Sequence, residues 1–151
     1  MRVLHVFKVY LPDSSGGIER TIREIAGATA ALGVESRVFS LTRRPDLSPV
    51  AVDQHWSYAT RQDLYVASTG FSLSAFGAFR SLVEDTDVIH YHYPWPFMDL
   101  LHFARARGRT AIVTYHSDIV RQRLLGRLYE PLMMRFLGAM DSWAVIFWAI
   151  A

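Results

Sequence analysis

Two adjacent glycines, Gly16 and Gly17, separate an apolar run at residues 3–9 from an amphipathic segment at residues 18–32. This order predicts a buried strand, a tight turn and a helix. Unpaired N–H groups at a helix N-terminus attract negative charge, and a residue without Cβ lets a phosphate approach closely. The pair therefore indicates an anion site. A turn without a ligand is the alternative, because neither the dinucleotide fingerprint nor a Walker loop is present.

Three histidines lie near the ends of two further predicted strands. His90 and His92 are two residues apart, so their side chains share one face of a strand, and His116 ends the next predicted strand. Protein metal sites usually need three or four ligands, and no carboxylate stands at a ligand-like spacing here, so we expect no metal. Hydrogen bonding to a polar ligand, in the crevice where the strands end, is the better interpretation for His92 or His116.

Asp118 follows His116 by two residues and has two interpretations. Its carboxylate could orient the imidazole or bind a ligand hydroxyl, which would place it in the same crevice. It could instead cap the N-terminus of a helix beginning at the next residue, because Asp accepts hydrogen bonds from the first N–H groups of a helix. Both interpretations stay open.

Aromatic residues recur at every second position along and after the strand that carries His90. Their rings could form one wall of a cleft, because aromatic faces suit the apolar faces of sugars. Packing in the core and the following loop explains the pattern nearly as well. The residues are Tyr91, Tyr93, Trp95 and Phe97.

Composition bounds the class of protein. The chain has 151 residues, of which 51% are hydrophobic, and this suits one domain with a sizeable core. The absence of cysteine excludes disulfides, thiolate zinc sites and a cysteine nucleophile, and is compatible with the cytoplasm. The formal net charge is only +2, with Lys8 as the single lysine, which does not favour nucleic-acid binding. Neither a signal peptide nor a membrane-spanning stretch is predicted.

Strand and helix patterns alternate along the rest of the chain. Such alternation predicts an α/β fold, a Rossmann-like three-layer sandwich whose mostly parallel sheet binds ligands beyond the carboxyl ends of its strands. We expect short strands at 54–61 and 64–67 to lie near a sheet edge. The other predicted strands are 35–41, 87–92 and 110–116, and the predicted helices are 72–84, 97–107 and 119–137, the last kinked at Pro131.

Four stretches in this order resemble one known family. They are Met1-Arg-Val-Leu-His-Val, Pro12-Asp-Ser-Ser-Gly-Gly-Ile-Glu19, Asp87-Val-Ile-His-Tyr-His92 and Thr114-Tyr-His-Ser-Asp118. Together they resemble the N-terminal half of a GT-B-fold glycosyltransferase of family 4, closest in character to bacterial mannosyltransferases of surface-polysaccharide assembly. The resemblance covers the chain from Met1 to about Asp141. It implies that residues 1–151 form a single acceptor-side domain, and that the C-terminal donor-binding domain is absent.

The resemblance also implies chemistry. Family members transfer a sugar from a nucleotide sugar with retention and without a metal, so charge on the departing diphosphate must be stabilised. It implies that Gly16 and Gly17 contact the donor diphosphate and that His116 is the catalytic residue beside the transferred sugar. We assign the acceptor, a glycan or lipid-linked glycan, to His92, Tyr93, Trp95 and Asp118. A chain without the donor half should not catalyse transfer on its own.

Two apolar segments and one rival function complete the expectations. The basic amphipathic segment 121–137 could contact anionic lipids at the inner face of the cell membrane, although a solvated outer face is equally compatible. The uncharged tail at 143–151 is either a buried strand or a surface for self-association. The rival function is a stand-alone anion-binding or protein-interaction module. A nicotinamide-dependent oxidoreductase is disfavoured, because no acidic residue ends the second strand.

Overall fold

A computed structural model describes residues 1–116 and 123–145 of the chain. The elements in chain order are β1 (Arg2–Val6), α1 (Gly17–Ala30), β2 (Glu35–Thr42), β3 (Val50–Val52), β4 (His55–Arg61), β5 (Leu64–Val66), β6 (Thr69–Phe71), α2 (Ala75–Glu84), β7 (Val88–Tyr93), α3 (Pro96–Arg105), β8 (Ala111–Tyr115), α4 (Arg123–Leu137) and β9 (Ser142–Val145). Seven of the strands form one sheet in the order β3-β4-β2-β1-β7-β8-β9, and every pairing except β3 with β4 is parallel.

Helices cover both faces of the sheet, as the alternating pattern predicts. On one face, Ile22 of α1 packs with Val38 of β2. On the other face, the ring of Phe79 of α2 contacts that of Phe39 of β2 at a centroid distance of 5.5 Å, and the ring of Phe136 of α4 contacts that of Tyr91 of β7 at 5.1 Å. The second face carries the larger apolar cluster. The α/β sandwich predicted from the sequence is therefore present.

The edge of the sheet matches the expectation in part. β4, predicted at 54–61 near a sheet edge, pairs in parallel with β2 as the second strand from the edge, and the antiparallel strand β3 forms the edge itself. β5 lies outside this sheet and pairs only with β6, through a turn in which Ala67 and Ser68 both have positive φ. Positive φ at both central turn residues is usually supplied by Asn-Gly or Asp-Gly, so Ala-Ser gave no hairpin signal.

The C-terminal elements match the pattern in part. α4 contains Pro131 in its interior, and its first residue is Arg123, so positions 121–122 of the predicted basic segment lie outside the described residues. β9 pairs in parallel with β8 as the last strand, but Trp143 is 55% exposed, so helices do not cover both of its faces. Residues 146–151 of the predicted tail also lie outside the described part. Among the described helices, none has the length and apolar character that a membrane crossing requires.

A polar network is buried between α3, α4 and β7. Asp99 in the first turn of α3 is fully buried, and it accepts a hydrogen bond from the hydroxyl of Tyr129. Tyr129 in turn accepts one from Tyr93, at 3.2 Å. The other oxygen of Asp99, Oδ1, has no partner among the described residues. Burial raises the pKa of Asp99 to about 8, so this carboxyl group is mostly protonated at neutral pH.

We expect Asp99→Asn to become progressively more stable than the parent chain as pH rises from about 5 to about 8. Between its unfolded and folded pKa values, Asp99 holds a proton in the folded state that it releases on unfolding. As pH rises, the titration of this group therefore lowers the parent's free energy of unfolding by up to about 1.4 kcal/mol per pH unit. The amide of the variant does not titrate, so it makes no such contribution. Urea unfolding of both proteins at several pH values measures the difference. A difference that does not change with pH would show that the carboxyl is ionised in the fold.

Candidate functional site

Imidazole side chains line the α1 face of the central strands. His5 of β1 lies opposite His90 of β7 in the parallel register, and His92 follows two residues later on the same face. His116 comes directly after β8, where its backbone N–H still bonds the carbonyl of Tyr93. Three of these four histidines, His90, His92 and His116, are predicted from the sequence as candidate site residues. His5 is not, although a polar residue inside an otherwise apolar strand was a signal for it.

Three of the imidazoles form a continuous hydrogen-bonded chain. His5 Nδ1 lies 3.1 Å from His92 Nε2, and His92 Nδ1 lies 3.0 Å from His116 Nε2. The chain runs from the centre of the sheet to its carboxyl edge, and all three residues are buried. His90 stands beside it, with its ring centroid 4.2 Å from that of His92, and bonds Thr114 Oγ1 at 2.7 Å instead.

Burial keeps these imidazoles uncharged. Burial, with a smaller contribution from neighbouring histidines, lowers the pKa of His5 to about 3 and that of His90 to about 4. The pKa of His92 lies well below its usual value for the same two reasons, and burial alone lowers the pKa of His116. A neutral imidazole offers one N–H donor and one acceptor nitrogen. Each member of the chain can therefore donate to one neighbour and accept from the other.

The direction of the chain determines what His116 presents to a ligand. Its Nε2 is engaged with His92, whereas its buried Nδ1 has no hydrogen-bond partner among the described residues. If His5 donates to His92 and His92 to His116, Nδ1 carries the proton and is a donor. In the opposite direction Nδ1 is an acceptor. In both cases the His116 ring keeps one neutral, oriented nitrogen, and its hydrogen bond to a ligand hydroxyl stays a prediction.

The same cluster has spacing compatible with a metal. One nitrogen each from His5, His90 and His92 lie within 4.8 Å of one another. Both nitrogens of His92 already face other imidazoles, and His90 faces Thr114, so hydrogen bonds account for the arrangement. The expectation that the protein needs no metal stays a prediction.

The glycine pair lies at the start of α1, as predicted. Gly16 is the N-cap and Gly17 the first helical residue, and both are exposed. Glu19, buried in the first turn, accepts a hydrogen bond from Ser14 at 2.5 Å. A Cβ at Gly16 would lie 2.8 Å from a Glu19 carboxylate oxygen, so the missing side chain makes room for Glu19. Packing thus explains Gly16, and the diphosphate contact stays a prediction for both glycines.

The residues assigned to the acceptor do not form one group. His92 lies inside the imidazole chain, whereas Tyr93 and Trp95 are fully buried in the apolar cluster on the opposite face. The Trp95 indole donates to the carbonyl of Gly70 at 3.2 Å. Packing accounts for both aromatic side chains, and their contact with an acceptor stays a prediction. Asp118 lies outside the described residues.

A cleft at the carboxyl ends of β1, β2 and β4 escaped the sequence analysis. It encloses about 640 Å³. Cationic and polar side chains from the loops after these strands line it, namely Lys8, Asp13, Arg43, Arg44 and Gln62, with Tyr65 of β5. These residues could have been found from their position at the end of a predicted strand, which is the signal that identified His116.

Comparison with known proteins identifies relatives of this chain. The model of glycosyltransferase family 4 matches residues 15–147. The chain is 48% identical over 141 residues to the D-rhamnosyltransferase WbpZ of Pseudomonas aeruginosa, and 44% identical over 141 residues to the O-antigen chain mannosyltransferase C of Escherichia coli. Each match covers 93% of this chain, but 37% and 38% of the respective relatives. The chain thus spans little more than a third of these curated relatives.

Solved structures share the fold. The sucrose-phosphate synthase of Thermosynechococcus elongatus superposes with a TM-score of 0.63 at 15% identity, over 94% of this chain and 41% of that one. An α-glucosyltransferase in complex with UDP and DNA superposes with a TM-score of 0.62 at 12% identity, over 96% and 37%. These neighbours are GT-B glycosyltransferases, and the α/β fold expected from the sequence is confirmed. Since the family model covers most of the chain and its relatives are named glycosyltransferases, the chain belongs to glycosyltransferase family 4.

Proposed function

We propose that this chain is the N-terminal, acceptor-side domain of a retaining glycosyltransferase, which transfers a mannose-like sugar from a nucleotide sugar to a glycan or lipid-linked acceptor. The observation that carries the proposal is the buried Nδ1 of His116 at the carboxyl edge of the sheet, which has no hydrogen-bond partner within residues 1–116 and 123–145. Ligands of parallel α/β sheets bind at this edge. The named activities of the two curated relatives, transfer of rhamnose and of mannose, support the sugar class.

In this proposal His116 holds the transferred sugar and does not move protons. Its pKa is lowered by burial, so the imidazole is neutral at pH 7 and contributes a hydrogen bond to a sugar hydroxyl. Charge develops instead on the departing diphosphate. The N–H groups at the start of α1, at Gly16 and Gly17, would stabilise part of that charge without a metal.

The proposal needs a second domain. This chain matches little more than a third of each curated relative, and we infer that the remaining part holds the donor. The isolated chain would then bind substrate without turnover. In the same proposal, α4 contacts anionic lipid at the inner face of the cell membrane, where a lipid-linked acceptor would lie. The 143–151 segment contacts another copy of the chain. The rival, a stand-alone anion-binding module, is favoured by the cationic cleft, which needs no second domain.

A chimera tests the transferase proposal. We expect this chain, followed by the remaining part of the Pseudomonas aeruginosa relative, to transfer sugar from one of a panel of nucleoside diphosphate sugars, whereas the chain alone releases no nucleotide. Transfer is measured by the release of nucleotide and by the increase in mass of the acceptor. A folded chimera that binds nucleotide sugars but transfers to no glycan or lipid-linked acceptor would favour the binding module.

We expect Gly17→Val to reduce transfer by the chimera at least a hundredfold while leaving the fold intact. A branched side chain at the first helical position blocks the approach of a diphosphate to the N–H groups. Gly27→Ala is the matched control in the same helix, because a Cβ there meets its nearest atom at 3.7 Å, an ordinary contact. Unchanged turnover in Gly17→Val would remove the glycine pair from the donor site.

His92→Phe tests whether the imidazole chain orients His116. Phenylalanine keeps a buried ring but loses both nitrogens, so His116 Nε2 loses its partner and we expect two tautomers of His116 in place of one. Nitrogen-15 chemical shifts of the imidazole report the tautomer directly. Thr114→Val is the control, since it removes the bond to His90 but leaves the chain intact. A single, unchanged tautomer in His92→Phe would contradict the orienting role.

A further inference from the structure

Two buried polar residues of β4 bond the loop that joins β1 to α1. His55 and Ser57 are two residues apart, so their side chains share one face of the strand, and each is 3% exposed. His55 Nε2 lies 2.8 Å from the hydroxyl oxygen of Tyr10, and the Ser57 hydroxyl donates to the carbonyl of Leu11 at 3.1 Å. In the sheet, β2 lies between β1 and β4. The loop that leaves β1 is therefore bonded to the second strand away from it.

Tyr10 anchors this loop in the interior. Its side chain is 1% exposed and packs with Ile22 of α1 and Val38 of β2. Its carbonyl accepts hydrogen bonds from the backbone N–H groups of Asp13 at 2.9 Å and of Ser14 at 3.2 Å. The next turn of the loop is thus built on the backbone of Tyr10, so a shift of Tyr10 would move that turn with it.

The bonds to β4 are costly to lose. Burial lowers the pKa of His55, so its imidazole is neutral at pH 7. Its other nitrogen, Nδ1, is buried and has no hydrogen-bond partner in the described part of the chain. Without the Tyr10 hydroxyl, the whole imidazole would lack a described partner, and without the Ser57 hydroxyl the Leu11 carbonyl would lose its side-chain donor. Unpaired polar groups in the interior cost free energy, so these bonds restrict where the loop can lie.

The same loop is tied down again where it meets α1. Arg44, after β2, donates to Asp13 at 2.5 Å, and Ser14 donates to Glu19 in the first turn of α1 at 2.5 Å. The segment 10–16 is thus held by β4 at Tyr10 and by the helix at Ser14. The first N–H groups of α1 follow directly after it, so their position over the sheet edge depends on this segment.

We propose that Tyr10, His55 and Ser57 are positioning residues for the donor. They fix the segment that presents the N–H groups of Gly16 and Gly17 to the diphosphate of the nucleotide sugar. The inference rests on the proposed function and gives β4 a part in it, although no residue of β4 touches the donor in that proposal. Several N–H groups bind a phosphate together, so a displaced loop weakens all of these bonds at once.

Hydrogen exchange on the 151-residue chain tests whether β4 holds the loop. Tyr10→Phe keeps the ring and loses the hydroxyl, and Ser57→Ala loses the donor to Leu11. We expect each to speed exchange of the amides at positions 13 and 14 about tenfold, as loss of a buried hydrogen bond allows. Ser36→Ala is the matched control, because the Ser36 hydroxyl is also buried in a strand but has no partner in the described ranges.

The chimera tests the effect on the donor. Calorimetry with a nucleoside diphosphate sugar gives its Kd, which we expect Tyr10→Phe and Ser57→Ala to raise about tenfold. His55→Leu should do the same, whereas His55→Gln, whose amide lies near the position of Nε2, should keep most of the affinity. The KM for the acceptor should not change in any of them. A variant that is merely less stable would lower the fraction of active protein and leave the Kd of that fraction as it was.

Three outcomes would overturn the inference. They are unchanged exchange at positions 13 and 14 in Tyr10→Phe, a donor Kd that is unchanged in the β4 and Tyr10 variants but raised by Gly17→Val, and a donor Kd raised equally by Ser36→Ala.

Failure of the proposed function gives different results. A chimera that binds the donor, with a Kd sensitive to Tyr10→Phe, but transfers to no acceptor rejects the transferase and keeps the positioning role. A donor Kd that Gly17→Val leaves unchanged rejects the glycine site, and the positioning role falls with it even where loop exchange responds to Tyr10→Phe.

Discussion

A chain of buried, uncharged imidazoles constrains the centre of this sheet. Three neutral histidines in series each hold one proton, so their donors must all point the same way, or one contact would bring two acceptors or two protons together. A charge on any of them would be stranded in the interior. The orientation of the His116 imidazole is therefore set from within the sheet, by His92 and through it by His5.

Parallel strands bring the remaining groups to the same edge. The end of β1 contributes Lys8 and the turn into α1, the end of β2 contributes Arg43, and β8 leads into His116. These residues are far apart in the chain, but every parallel strand points its carboxyl end in one direction. The edge is divided by charge: cations lie over β2, and uncharged imidazoles lie toward β8.

The opposite face of the sheet stabilises the fold. Aromatic and aliphatic side chains from β7 and β8 pack there against α2, α3 and α4, and burial of apolar area is the main favourable contribution. The buried carboxyl group of Asp99 is tolerated there because it is mostly protonated and accepts a hydrogen bond from Tyr129. Tyr93 belongs to this network through its hydroxyl. A residue that looks suited to a sugar in the sequence is thus used to join β7 to α4.

The sequence by itself determined the alternation of strands and helices, the glycine turn before α1 and the placement of His116 at the end of a strand, because hydrophobic period and turn residues act locally. Only the tertiary structure decided which side chains meet. His5 bonds His92 across neighbouring strands, Lys8 and Arg43 line one cleft from the ends of two others, and Trp95 packs in the core. Such contacts depend on strand order and register, which are set by long-range packing and leave no mark in a local pattern.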